Sequence, residues 1–178
     1  MKKTIPSILL IGLAISTLAI ISSETTFSAD NAEKAKPKKP APQFTVAPVG
    51  KIVYRGEKRF IVLDKKYEKG LLGLDKFSHI NVFWWFDKND TPRGRSVLQV
   101  HPRGKRSNPL TGVFATRSPF RPNLIALTNC KIVAVRGNEI EIEKTDAFDG
   151  TPVLDIKPFI PGYDTPKQGA ATVPKWTK

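Results

Sequence analysis

From residue 44 onward the chain runs in short stretches in which apolar side chains recur at about every second position, cut by turn residues. That period belongs to β-strands with one buried face. Residues 46–54 and 60–67 read as two such strands on either side of Arg55-Gly56-Glu57-Lys58, a hairpin-like break. FSHINVFWWF at residues 77–86 is nearly continuous in apolar residues, which predicts a central strand covered on both faces. Residues 70–75 read as a turn or short helical piece, and 95–101 and 112–116 as further short strands. The clearest hairpin runs through residues 124–135, turns at Arg136-Gly137-Asn138 and returns through 139–144. There Ile140 and Ile142 alternate with Glu139, Glu141 and Glu143, so the pattern puts the isoleucines in the core and the glutamates in water.

No stretch carries a sustained 3.6-residue apolar stripe with caps, so the helices that a parallel sheet needs are missing, and no strand leads into G-x-G-x-x-G. The expected fold is all-β and mainly antiparallel. Closure of its single sheet into a β-barrel removes the exposed edges.

The segments outside this domain differ in pattern. Lys2 and Lys3 precede an uncharged run over residues 5–21, with small Ala29 further on, the layout of a secretory signal peptide or, if uncleaved, an N-terminal anchor. Residues 1–29 are therefore expected to direct export, to a periplasmic or membrane-anchored location, and to be the only part to touch a membrane. Residues 30–43 carry Lys34, Lys36, Lys38 and Lys39 among Pro37, Pro40 and Pro42, a composition that favours a disordered linker. Residues 44–163 form the domain, and 164–178 a polar tail containing Trp176.

Composition narrows the chemistry. The chain has 178 residues, a formal charge of +13 and one cysteine, Cys130. No intramolecular disulfide can form, and no cluster of Cys and His suggests a metal site. Cys130 falls in the apolar run of a strand and reads as a small core side chain. His79 and His101 lie in no H-E-x-x-H pattern, and there is no G-x-S-x-G elbow.

Charge is segregated. Arg93, Arg95, Arg103, Lys105, Arg106, Arg117 and Arg121 fall between residues 91 and 121 with no acidic residue among them. Such a field attracts phosphate, carboxylate or nucleic acid, unless it simply pairs with the acidic stretch at residues 139–155. Two loops look more specific. ATRSPFRPN at residues 115–123 holds two arginines, two hydroxyls and an amide on a backbone stiffened by two prolines, suited either to a preorganised ligand site or to a turn held by arginine–carbonyl bonds. DAFDGTPVLDIKP at residues 146–158 surrounds a D-G-T-P turn with aspartates. Asp149 and Thr151 could cap that turn, or a carboxylate there could accept from a ribose or an amine.

GLLGLDKFSHINVFWWFD (residues 70–87), QVHPRGKRSNPLTGVFATRSPFRPNLIALT (residues 99–128) and DAFDGTPVLDIKPF (residues 146–159) resemble the TsaA-like, or TrmO, family. Members resembling this chain are S-adenosylmethionine-dependent methyltransferases that modify the N6 nitrogen of threonylcarbamoyladenosine 37 in tRNA. The resemblance implies a single-sheet β-barrel that forms a homodimer, with the cofactor near the subunit interface, and a cytoplasmic location. Carried over by position, cofactor contacts fall on Asp87, Lys88, Arg117, Leu127, Lys144, Thr145 and Asp146. Arg103, Arg106, Arg121, Asn123 and Asp149 are the candidates for meeting the tRNA substrate. No residue is assigned as catalytic, because transfer of a methyl from a sulfonium needs mainly alignment. The chain departs from the family pattern by lacking a Pro/Gly-rich insertion after the first strand and by Asp87-Lys88 after the aromatic strand. A reading from a different class is an exported, non-catalytic binding module that keeps the barrel and a pocket for an adenosine-like or anionic ligand.

Overall fold

The computed structural model describes residues 42–167 and 169–177. The signal segment at 1–29 and nearly all of the 30–43 linker lie outside the described residues. A compact unit spans Phe44–Lys178.

Six strands close into one antiparallel barrel in the order β1-β2-β7-β6-β3-β8. These are β1 (Gly50–Arg55), β2 (Lys58–Leu63), β3 (His79–Trp85), β6 (Ile125–Arg136), β7 (Glu139–Ile142) and β8 (Pro152–Pro158). A separate two-stranded ribbon pairs β4 (Gln99–Val100) with β5 (Thr111–Gly112). Ile52, Ile61, Ile80, Val82, Ile140 and Val153, drawn from five strands of the barrel, are essentially inaccessible and fill its interior with Trp84, Cys130 and Ile142. The closed antiparallel sheet expected from the alternating pattern is what forms.

The β6–β7 hairpin turns through Gly137 at φ 57°, a left-handed conformation that costs glycine little. Closure depends on Gly50, which pairs with Leu63 on one side and Val153 on the other. A Cβ there would stand 2.3 Å from the Val62 carbonyl oxygen, so only glycine lets the strands approach at this seam.

Several expectations are corrected. β8 arises in the D-G-T-P segment, which reads as a loop because prolines bound it and Asp155 and Lys157 interrupt it. Its prolines sit at the two ends of the strand, where a missing N–H is tolerated, and Val153 points into the core. Residues 95–101 are not one strand. Thr91 accepts a hydrogen bond from the Gly94 N–H and Pro92 occupies the first helical turn, so α1 (Pro92–Ser96) forms there. The stretch at 112–116 likewise gives way to a 3₁₀ turn at Val113–Ala115. The aromatic strand β3 alternates instead of being buried on both faces: Ile80, Val82 and Trp84 are buried, whereas Asn81, Phe83 and Trp85 are half-buried. Glu141, expected in water, has its side chain only 10% exposed, because Lys58 (2.8 Å) and Arg136 (3.5 Å) from the two neighbouring strands cover it.

Candidate functional site

The arginine loop is rigid for identifiable reasons. Arg121 donates from Nη2 to the carbonyls of Val113 (3.0 Å) and Thr116 (3.1 Å), and Arg95 donates from Nη1 to Pro122 (3.1 Å). The Thr116 hydroxyl donates to the Val113 carbonyl and accepts from the Ser118 N–H, and the Ser118 hydroxyl accepts from the Phe120 N–H. Arg121 thus holds its own loop, as the arginine–carbonyl alternative anticipates. Arg117 differs. It is exposed, and its Nη1 donates to the Leu127 carbonyl at 2.9 Å, which leans the guanidinium over β6.

Between this loop, the outer face of β6 and residues 144–146 lies a cavity of about 630 Å³, within the size range of small-molecule sites. Phe83, Phe86, Phe114, Ile125 and Leu127 supply apolar walls, while Arg117, Lys144 and Asp146 supply charge of both signs. Phe83 and Leu127 are register partners on β3 and β6, so two outward-facing positions of adjacent strands build one wall. The Asp146 carboxylate is tied to the core. Trp84 Nε1 donates to Thr128 Oγ1 at 3.0 Å, and Thr128 Oγ1 donates to Asp146 Oδ1 at 2.5 Å. Having accepted from the indole, the hydroxyl has its single proton left for the carboxylate, so the direction of the relay is set. Cys130, buried on the inner side of β6, has its thiol pushed up to about 11 by burial and, secondarily, by the charge of Asp146; it is no nucleophile at neutral pH.

A second cavity, of about 1430 Å³, adjoins the first and shares Phe114, Thr116 and Arg117 with it. Arg93, Arg103 and Arg106 line it, together with Trp176. Among the described residues Arg103 is the one non-glycine with a left-handed backbone, at φ 59°. Sites of stored backbone strain concentrate at functional positions.

The sequence-derived residues distribute as follows. Arg117, Leu127, Lys144, Thr145 and Asp146 converge on the first cavity, with Arg121 beside them. Asp87 and Lys88 do not line it; they pair with each other at 3.5 Å in the turn Asp87–Asn89. Arg103 and Arg106 line the second cavity. Asn123 and Asp149 line neither. Asp149 Oδ1 accepts from the Tyr54 N–H at 2.8 Å, and Tyr54 Oη donates to the Ala147 carbonyl at 2.5 Å. The D-G-T-P turn is thereby anchored to β1, and it is Lys144, Thr145 and Asp146, upstream of it, that face the arginine loop. Sequence reasoning missed Phe83, Phe86, Phe114 and Thr128. The outward phase of β3 was the available signal for Phe83, whereas Thr128 shares the inward phase of Ala126 and Cys130 and was legible only as a polar residue on the core side of β6. No group of three or more His, Cys, Asp or Glu side chains gathers as a metal site among the described residues.

Comparison with known proteins agrees with this geometry. The family model of the tRNA-methyltransferase O N-terminal domain matches residues 38–165. The probable S-adenosyl-L-methionine-binding protein of Pyrococcus horikoshii is 49% identical over 126 residues, which is 70% of this chain and 89% of that protein. The tRNA (adenine(37)-N6)-methyltransferase of Mus musculus is 45% identical over 100 residues, 56% of this chain but only 22% of that enzyme. The crystal structure of TrmO from Pseudomonas aeruginosa superposes with a TM-score of 0.57 at 25% identity, covering 72% of this chain and 61% of its own. A barrel of this topology, a loop-bounded cavity at the positions the family motifs occupy, and a domain match across most of the chain place the protein in the tRNA-methyltransferase O N-terminal domain family.

Proposed function

We propose that the chain is a methyltransferase that uses S-adenosylmethionine and acts on the N6 nitrogen of the modified adenosine at position 37 of tRNA. The observation that carries this reading is the first cavity, which combines both signs of charge with apolar walls and opens beside an arginine-lined one. A cofactor with a zwitterionic amino acid end, a sulfonium and a nucleoside needs that mixture. The residues fit it: Arg117 and Lys144 suit a carboxylate, the second oxygen of Asp146 suits an ammonium or a ribose hydroxyl, and the faces of Phe83 and Phe86 suit an adjacent cation. Bound there, the cofactor would supply a methyl group already activated on sulfur.

The remaining work belongs to the protein. The Trp84–Thr128–Asp146 relay and the Arg121-braced loop hold the cavity walls before any ligand arrives, so little ordering is needed on binding. Alignment of acceptor with donor would then supply most of the acceleration, the N6–carbon bond forming as the sulfur–methyl bond breaks and the N6 proton passing to solvent. The basic field over Arg93, Arg103 and Arg106 attracts the RNA backbone. Ile125 and Leu127, 39% and 37% exposed beside the cavity, are apolar surface suited to a second copy, which supports the homodimer reading. Export directed by residues 1–29 belongs to the alternative reading of an exported binding module, and sequencing of the mature N-terminus separates the two.

The test is calorimetric titration with S-adenosylmethionine, followed by methyl incorporation into tRNA carrying threonylcarbamoyladenosine. Saturable binding with transfer is expected. Binding without transfer to any tRNA would favour the binding-module reading, and no binding at millimolar cofactor would remove the methyltransferase reading.

A further inference from the structure

We infer that Trp176, from the C-terminal segment, is a base-stacking wall of a single-stranded RNA site in the second cavity; this rests on, and extends, the tRNA reading above. The 3₁₀ turn Lys175–Thr177 is closed by the Thr177 N–H and hydroxyl, which donate to the Pro174 carbonyl at 3.1 and 2.6 Å. Arg103 then donates from Nη2 to the Thr177 carbonyl at 2.8 Å. That bond fixes the turn against the basic loop and brings the indole of Trp176 to the cavity lined by Arg93 and Arg106.

Neither Arg93 nor Arg106 makes a side-chain hydrogen bond or ion pair with another described residue. Their charge is therefore available to a polyanion, and no carboxylate lies among the residues lining the cavity. A flat aromatic face flanked by uncommitted guanidinium groups is the arrangement that holds an unpaired nucleotide, with the base on the ring and the phosphates on the arginines. A duplex offers no free base face, so the site selects single strands. Because the two cavities share Phe114, Thr116 and Arg117, a nucleotide seated here continues directly toward the first cavity. The site positions a loop nucleotide neighbouring the one to be methylated.

The experiment measures binding of a fluorescein-labelled, unmodified anticodon stem-loop RNA to the full chain by anisotropy, without cofactor. Trp176→Ala and Trp176→Phe are compared with the parent protein, and a fully paired RNA of equal length serves as control. Trp176→Ala is expected to weaken stem-loop binding by about tenfold or more with unchanged thermal unfolding and unchanged duplex binding, whereas Trp176→Phe retains most of the affinity. Equal weakening for duplex and stem-loop, unchanged affinity in Trp176→Ala, or tighter binding, as for a tail that blocks the cavity, would overturn the inference. Loss of methyl transfer with Trp176-dependent RNA binding intact would instead remove the enzymatic reading and leave this site standing.

Discussion

Thr128 donates its hydroxyl to Asp146 Oδ1 at 2.5 Å while accepting from the buried indole of Trp84 at 3.0 Å. The pair couples a carboxylate on the cavity wall to a side chain in the barrel interior, so the orientation of the candidate ligand-binding charge is set by core packing.

Replacing Thr128 with valine keeps the volume and removes both bonds. The Trp84 N–H, on a side chain of a residue only 5% exposed, loses its acceptor, at a cost of about 1–3 kcal/mol. Denaturant unfolding is expected to show that loss, and calorimetry with S-adenosylmethionine a weaker affinity, because Asp146 is freed to rotate. Unchanged affinity would show that the relay does not position the carboxylate.

Arg117 and Arg121 sit four residues apart in one loop and are expected to separate on mutation. Arg121→Ala strips the donor from the Val113 and Thr116 carbonyls and should reduce both stability and cofactor binding. Arg117→Ala removes an exposed side chain from the cavity, so unfolding should shift by no more than about 0.5 kcal/mol. Its loss from a ligand carboxylate should weaken binding by about 1.5–3 kcal/mol. Paired unfolding and titration curves for the two variants decide this.

Acid should act at the barrel's outer surface. Glu139 is held below its ordinary 4.5 by its hydrogen bond to Arg55, Glu141 by its hydrogen bond to Lys58, and Asp90 below its ordinary 3.8 by hydrogen bonds to Arg95 and then Trp85. A carboxyl depressed in the folded state contributes fully above its unfolded value and loses that contribution as pH falls through the folded one. Thermal unfolding is therefore expected to be level from neutrality to about pH 5 and to fall at lower pH, with a smaller fall in Glu139→Gln. High salt should shrink the part carried by the solvent-facing Glu139–Arg55 and Asp90–Arg95 pairs, and less so that of Glu141, which is covered.

The alternation of apolar and polar residues is a local property, and it was enough to show an antiparallel barrel, the Gly137 hairpin and a core of isoleucines and valines. The family resemblance singled out Arg117 and Asp146, which converge although they are distant in the chain. It could not separate Arg121, which braces the loop, from Arg117, which faces the cavity, because the difference lies in which carbonyls stand within reach.

The elements that escaped reading have the same origin. β8 carries charges and prolines that disfavour a strand locally, yet two neighbouring strands supply hydrogen bonds enough to recruit it. Glu141 is polar and buried because Lys58 and Arg136 arrive from the strands on either side. Asp149 serves Tyr54 and not the cavity because β1 passes beside it. Residue order sets which side chains alternate and where turns can form; which distant groups meet is settled when the sheet closes, since burial, pairing and cavity walls all depend on contacts between strands far apart in the chain.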